Sequence, residues 1–169
     1  MIDWHSLFPD FPKNARVWTF AANRELSAVE VRRIEEVFTA FLGQWKAHGQ
    51  ELRSQHMLIM NRFVVIVVDE HTQNATGCSI DAATRQMQAL GAELDVDFLD
   101  RMQVVYQQPN GQIVSDRLPK IRSMVKEGQI DLTSTVFNLM PDRLDKWIAD
   151  FARPLNQSFL AELLPEDQL

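Results

Sequence analysis

A run of six apolar residues, Phe63 to Val68, constrains the fold of this chain more than any other stretch. The run has the length of a strand, and it has no polar face to turn toward water. It therefore predicts a central strand in a sheet that is covered on both sides. Asn61-Arg62 separates the run from Met57 to Met60, and this spacing predicts a tight hairpin between two strands.

Two helical segments flank the hairpin. Ser27-Ala28-Val29-Glu30 is a capping box that starts the first helix, and Ile80 to Leu94 carries the single apolar stripe of a second. Further strands are predicted at Arg16 to Phe20 and at Met102 to Tyr106. The order strand, helix, strand, strand, helix, strand predicts an α+β, ferredoxin-like (split βαβ) antiparallel sheet with two helices on one face.

The rest of the chain predicts an extension of this core. Pro109-Asn110-Gly111 turns the chain into a fifth strand, and helices follow over Leu118 to Val125 and over Leu144 to Phe151. These helices and the apolar tail are the candidates to cover the open face of the sheet. A short strand is also predicted at Thr135 to Phe137.

We predict one α+β domain over residues 1–169. It comprises an aromatic N-terminal arm (1–15), a ferredoxin-like core (16–107) and a hairpin and helical extension (108–169). Phe8 and Phe11 in the arm are expected to be buried, because exposed phenylalanines beside Trp4 and Leu7 would form an adhesive patch.

The charge balance argues against one class of partner. With 17 Lys and Arg against 23 Asp and Glu, the net charge is −6, which disfavours binding to the phosphates of nucleic acid or to an anionic membrane. No apolar stretch approaches the roughly 18 residues of a membrane span. A single cysteine requires no oxidising compartment. We expect a cytoplasmic protein that binds neither nucleic acid nor membrane.

Cys78 is the candidate centre of a site. It lies in Gly77-Cys78-Ser79-Ile80-Asp81, where the second helix begins, and the positive end of a helix dipole favours a thiolate. The predicted topology brings basic and acidic residues to the same sheet edge: His48, His71, Arg16, Arg53, Asp69 and Glu70. A thiolate there is a candidate nucleophile or redox sensor, with His48 and His71 as candidate catalytic partners. The alternative is a small, buried packing residue.

Ser79 and Asp81 complete the candidate ligand-binding residues, together with Arg16 and Asp69. Their structural alternatives are a helix cap for Ser79 and, for Asp81, an ion pair with Arg85 or an interaction with the helix dipole. The nearby His, Asp and Cys residues lack the paired spacing of a metal motif. The sequence also contains no P-loop, G-x-G-x-x-G, H-E-x-x-H, C-x-x-C or G-x-S-x-G motif. No metal and no cofactor are predicted.

Seven short stretches carry a family resemblance: Ala15 to Trp18, Trp45 to Gly49, Asn61 to Phe63, Val68 to Glu70, Gly77 to Asp81, Val96 to Arg101 and Val136 to Asn138. Over most of its length the chain resembles a family of uncharacterised bacterial proteins of about this length. Some of them carry an automatic "ABC transporter ATPase" name, which the missing P-loop contradicts. The resemblance implies no activity and no site residues.

A second likeness lies in the C-terminal part of the chain. Tyr106, Gly111, Leu118, Val125, Gly128-Gln129-Ile130 and Thr135-Val136 resemble the closing half of GYF-type peptide-binding adaptors, although the Gly-Tyr-Phe motif of that family is absent.

Three functions are compatible with these features. The first is a protein that acts through an unknown protein partner or as a homo-oligomer. The second is a thiol-dependent enzyme or redox sensor centred on Cys78. The third is a peptide or small-ligand binding module, for which an apolar groove built from Trp4, Trp18 or the tail would be the structural sign.

Overall fold

The structure, a computed structural model, describes residues 3–47, 49–71 and 77–163. Its α-helices are α1 (Ala28–Leu42), α2 (Gly77–Leu94), α3 (Leu118–Lys126) and α4 (Leu144–Asp150). Its strands are β1 (Arg16–Ala21), β2 (Lys46–Ala47), β3 (Gln50–Glu51), β4 (Arg53–Ile59), β5 (Phe63–Asp69), β6 (Gln103–Gln107), β7 (Ile113–Arg117), β8 (Thr135–Phe137) and β9 (Ala152–Pro154). Short 3-10 helices cover Trp4–Ser6, Leu155–Gln157 and Ala161–Leu163.

The apolar run forms the central strand that the sequence predicts. The first sheet is antiparallel in the order β1-β5-β4, and every residue of β5 is buried. The β4–β5 hairpin is also confirmed, but its turn is displaced by one residue. Met60 and Asn61, rather than Asn61 and Arg62, adopt positive φ angles of 54° and 49°, the backbone conformation of a tight hairpin turn.

Helices α1 and α2 pack on the same face of this sheet, as predicted. Val64, Ile66 and Val68 of β5 share one apolar core with Phe38 of α1 and Met87 of α2. Alternate residues of a strand point to opposite faces, so the remaining apolar side chains of β5 need a second cover.

Helix α4 and the N-terminal arm supply that cover. Trp147 of α4 stacks on Phe151 with ring centroids 4.5 Å apart, and its edge meets Trp4 and Phe8 of the arm at 5.9 Å and 6.2 Å. Phe8 is buried and Phe11 is partly buried. The predicted burial is confirmed for Phe8, whereas Phe11 packs against the same core and remains partly exposed.

Strand β6 lies in a different place from the one predicted. The ferredoxin-like arrangement puts it beside β1, whereas it is an inner strand of a second antiparallel sheet in the order β7-β6-β8-β9. Val105 pairs with Ser115 on one side and with Phe137 on the other, so neither edge of β6 is free to pair with β1. The α+β class with antiparallel sheets is confirmed, and the single ferredoxin-like sheet is not.

The second sheet has a core of its own under α3. Tyr106 of β6 and Val136 of β8 are buried with Ile121 and Val125 of α3. The Tyr106 hydroxyl donates to Asp116 at 3.0 Å. Burial and this carboxylate raise the pKa of Tyr106, so the hydroxyl remains a donor.

The start of α1 leads to a prediction on pH. Glu30 accepts from the Ser27 backbone N–H at 2.7 Å and from Arg24 at 2.7 Å and 3.1 Å. The Arg24 hydrogen bonds, followed by those from Ser27, lower the Glu30 pKa from 4.5 to about 2. A carboxylate whose pKa is lowered by folding stabilises the folded state fully at pH values above its unfolded-state pKa. This stabilisation is lost as the pH falls toward the folded-state pKa. Glu30→Gln keeps an oxygen that can accept the capping hydrogen bond but loses the charge. It should therefore lower the free energy of unfolding by about 1 kcal/mol at neutral pH.

Chemical denaturation across pH would test this expectation. The difference between wild type and Glu30→Gln should be full above pH 4.5 and should vanish as pH falls toward about 2. Glu36→Gln, on the exposed side of the same helix, should cost less than Glu30→Gln at neutral pH. A cost for Glu30→Gln that is the same at every pH would show that the charge of Glu30 is not what stabilises the helix start.

Candidate functional site

Asp69, at the end of β5, is the buried acid of a small cluster that also contains Arg53 and His71 (the Asp69 cluster). One carboxylate oxygen accepts from the His71 backbone N–H at 3.0 Å and lies 2.7 Å from His71 Nδ1. The other accepts from Arg53 Nη1 at 3.1 Å. The His71 backbone N–H chiefly, together with the His71 ring and Arg53, holds the pKa of Asp69 below its usual value. This carboxylate is therefore ionised at neutral pH.

Arg53 also connects this cluster to the N-terminal arm. Its Nη2 donates to the Asp10 carbonyl at 2.7 Å, and its guanidinium lies 5.3 Å from the centroid of the Phe11 ring. These contacts give Arg53 a structural role. The side chains of His71 and Arg53 are both exposed, and a ring held by Asp69 at Nδ1 leaves Nε2 of His71 available to a second group.

The other predicted site residues lie elsewhere or outside the described residues. Arg16 pairs with Val68 in the β1–β5 ladder, but its guanidinium turns to Asp142 at 3.3 Å and to the Trp18 ring. Of the predicted set, Asp69, His71 and Arg53 are brought together within the described part of the chain.

The predictions on Cys78 remain open. Cys78 and Ser79 belong to the first turn of α2, but their side chains lie outside the described residues, and so does His48. Asp81 is exposed on α2, and the contacts of the described residues include no ion pair between it and Arg85. Within residues 3–47, 49–71 and 77–163, no group of three His, Cys, Asp or Glu side chains is placed to hold a metal ion.

The most apolar candidate site is a groove that the sequence did not locate. Five large apolar side chains are exposed in the described part of the chain, and four of them line this one groove: Leu99, Met102, Met140 and Phe159. Thr19 and Leu139 also line this groove, which we call the β1-edge groove. Its volume of about 590 Å³ is in the range of ligand sites. Clustered exposed apolar side chains are typical of an interaction surface.

The groove exists because β6 does not pair with β1. Thr19 lies on the outer edge of β1, and Gln103 and Val104 at the start of β6 form part of the opposite wall. Two contacts close the ends of this edge. Val17 N–H donates to the Asp142 carbonyl at 3.0 Å, and the Gln103 side chain donates to the Ala22 carbonyl at 3.1 Å.

One cation lies at the rim of the groove. Asp100 is paired with Arg117 at 3.2 Å, whereas Arg101 is exposed and has no ion pair with any described residue. The rim is therefore polar with a local positive charge, and the walls are apolar.

Of the three features named as signs of a binding module, Trp4, Trp18 and the tail, only the tail contributes to the groove. Trp4 packs on Trp147 and Trp18 packs on Trp45, so neither tryptophan lines the groove, but Phe159 of the tail does. Leu99 and Met140 were missed because they lie outside the predicted helices and strands, where a single apolar residue is the one available signal. Met102 was missed because the sequence predicts it as the first residue of a strand.

Comparisons of this chain with protein-family models, with curated proteins and with solved structures found no match. None of the helices in the described residues is long and apolar enough to cross a membrane. Fold and site together define a mixed α+β protein with an open apolar groove at a sheet edge.

Proposed function

We propose that this protein is a binding module that takes an apolar peptide segment of a protein partner into the β1-edge groove. The observation that carries the proposal is the concentration of exposed apolar side chains in this one groove. An exposed methionine such as Met140 adapts to different partner side chains, because it is flexible and polarisable.

Both resemblances are compatible with this proposal. Among the residues that carry the likeness to GYF-type adaptors, Tyr106, Val125, Ile130 and Val136 share the core under α3. The likeness to the bacterial family adds no activity that would compete with binding. We further infer that the first sheet is a ferredoxin-like arrangement whose fourth strand is missing at the β1 edge, which is where the groove lies.

A peptide selection with matched variants tests the proposal. Random octapeptides displayed on phage are selected on the wild-type protein, and the affinities of the enriched peptides are then measured for Met140→Asp and Val29→Asp. Met140 is 68% exposed and Val29 is 66% exposed, but only Met140 lines the groove. Met140→Asp should weaken binding by about tenfold or more, and Val29→Asp should leave it unchanged.

Other occupants would give different results. A dimer that Met140→Asp dissociates, without any enriched peptide, would make a second copy of this chain the occupant. Enrichment of peptides whose binding ignores Met140→Asp would place peptide binding outside the groove. Either result overturns the proposal.

A thiol function centred on Cys78 is the second candidate. The observation that favours it is the Asp69–His71 pair, because a histidine held by a carboxylate at Nδ1 is oriented as a general base. This candidate predicts rapid alkylation of Cys78 by iodoacetamide below pH 8 in the native protein, slowed about tenfold in His71→Ala. Arg85→Ala, which removes a cation from the exposed side of α2, serves as the control. Alkylation only after denaturant is added would identify Cys78 as a packing residue.

A further inference from the structure

The outer edge of β1 has a gap in its hydrogen bonding at Thr19. Val17 N–H donates outward to the Asp142 carbonyl, and the Ala15 carbonyl accepts from Leu144 N–H. Since outward-facing residues alternate in an antiparallel ladder, the N–H and the C=O of Thr19 also face outward, away from β5. Neither group has a partner among the described residues, and Thr19 lines the β1-edge groove.

The segment that pairs with β1 through Asp142 and Arg143 turns away from β1 before it reaches Thr19. Arg143 bridges Arg16 in antiparallel register, so continued pairing would place Met140 opposite Thr19. The Met140 N–H instead donates to the Asn138 side-chain oxygen at 3.0 Å, and Pro141 has no N–H to contribute. Leu139 and Met140 thus become a wall of the groove, and the Thr19 backbone is left open.

An open N–H and C=O on one strand residue specify the chemistry of the occupant. One residue of an extended backbone offers an acceptor and a donor at the matching spacing, as in a hydrogen-bonded antiparallel pair. An apolar small molecule or an acyl chain would cover both groups without satisfying either. Alternate side chains of an added strand would meet the apolar walls.

The positive charge of Arg101 at the rim of the groove favours an acidic residue in the bound peptide. Arg101 is exposed and has no ion pair with any described residue, so an acidic side chain in the occupant would complement it. The length of free edge between Asp142 and Gln103 limits the added strand to a short one.

We propose that an extended apolar peptide segment carrying an acidic residue adds to β1 as a short strand, paired through its backbone with Thr19. This proposal rests on the proposed function and specifies how that groove recognises its ligand. Backbone pairing supplies the affinity, and the groove walls and Arg101 supply the selectivity.

The test uses the tightest octapeptide from the selection described above and a matched pair of variants. Thr19→Val and Thr19→Pro both remove the Thr19 hydroxyl, which accepts from Trp147 Nε1 at 3.1 Å, but only proline removes the outward N–H. Because both variants lose the hydroxyl and only proline loses the N–H, Thr19→Pro should bind the peptide about tenfold or more weakly than Thr19→Val does. The wild-type protein should also show slowed amide exchange at Thr19 on binding, with Trp18 and Phe20 unchanged.

A second test removes the backbone N–H groups of the peptide by N-methylation, one residue at a time. It uses the wild-type protein, so its result does not depend on whether Thr19→Pro folds. One methylated position should abolish binding, and its two neighbours should be tolerated. If every methylated peptide binds and the Thr19 amide is unaffected, while Met140→Asp still weakens binding, strand addition is wrong and the binding module stands. If no octapeptide is enriched, both the proposed function and this inference are wrong.

Discussion

Trp147→Ala is expected to lower the free energy of unfolding by about 3–5 kcal/mol, one of the largest effects of any single substitution in this chain. The Trp147 side chain is fully buried. It contacts the rings of Trp4, Phe8 and Phe151, and it donates from Nε1 to the Thr19 hydroxyl at 3.1 Å. Its removal leaves a cavity between α4 and the sheet that this rigid aromatic cluster closes only in part. Urea or guanidinium denaturation, followed by circular dichroism, measures the loss.

Two further variants identify the cause of this loss. Trp147→Phe keeps an aromatic ring but loses the Nε1 donor, so it should cost less than Trp147→Ala. Phe8→Ala removes one neighbour of Trp147 and should cost about 3 kcal/mol, because Phe8 is also buried. A loss below about 1 kcal/mol for Trp147→Ala would mean that α4 does not close the second face of the sheet.

Gly91→Ala should destabilise the protein by about 1–3 kcal/mol, although alanine is the better helix former. A Cβ atom at Gly91 would lie 2.7 Å from the Val96 carbonyl oxygen, closer than real Cβ contacts come. The chain is held there by the bond from the Val96 N–H to the Gly91 carbonyl at 3.0 Å. The obstruction is therefore backbone that a rotamer change cannot relieve.

A thermal melt of Gly91→Ala beside Gln88→Ala measures this effect. Gln88 lies on the exposed side of α2, so alanine there should be neutral or slightly stabilising. If Gly91→Ala raises the melting temperature as propensity alone predicts, then the turn from α2 into residues 95–98 is looser than the structure shows.

Two elements could be predicted from the sequence because local patterns define them. The capping box at Ser27 and Glu30 starts α1 where predicted, with both reciprocal hydrogen bonds formed. The run that forms β5 is buried throughout, since a strand without a polar side has no stable position at a surface.

The candidate site could be predicted only in part. Asp69 and His71 are two residues apart, so their contact at the end of β5 is local, and the sequence favoured both as site residues. The β1-edge groove is built instead from distant segments around Thr19, Leu99, Met140 and Phe159. None of these segments carries a periodic pattern that indicates what it faces.

By itself, the sequence determined the α-helices, the longer strands and the burial of β5, because hydrophobic period and capping chemistry act within a few residues. The short strands β2, β3 and β9 were not predicted. Only the tertiary structure decided which strands pair. The apolar pattern of β6 requires that both of its faces are covered. A position beside β1 and a position between β7 and β8 both meet this requirement. That choice depends on competition between long-range pairings, which leaves no local trace in the sequence. The open Thr19 edge, and with it the candidate binding groove, is the consequence of that choice.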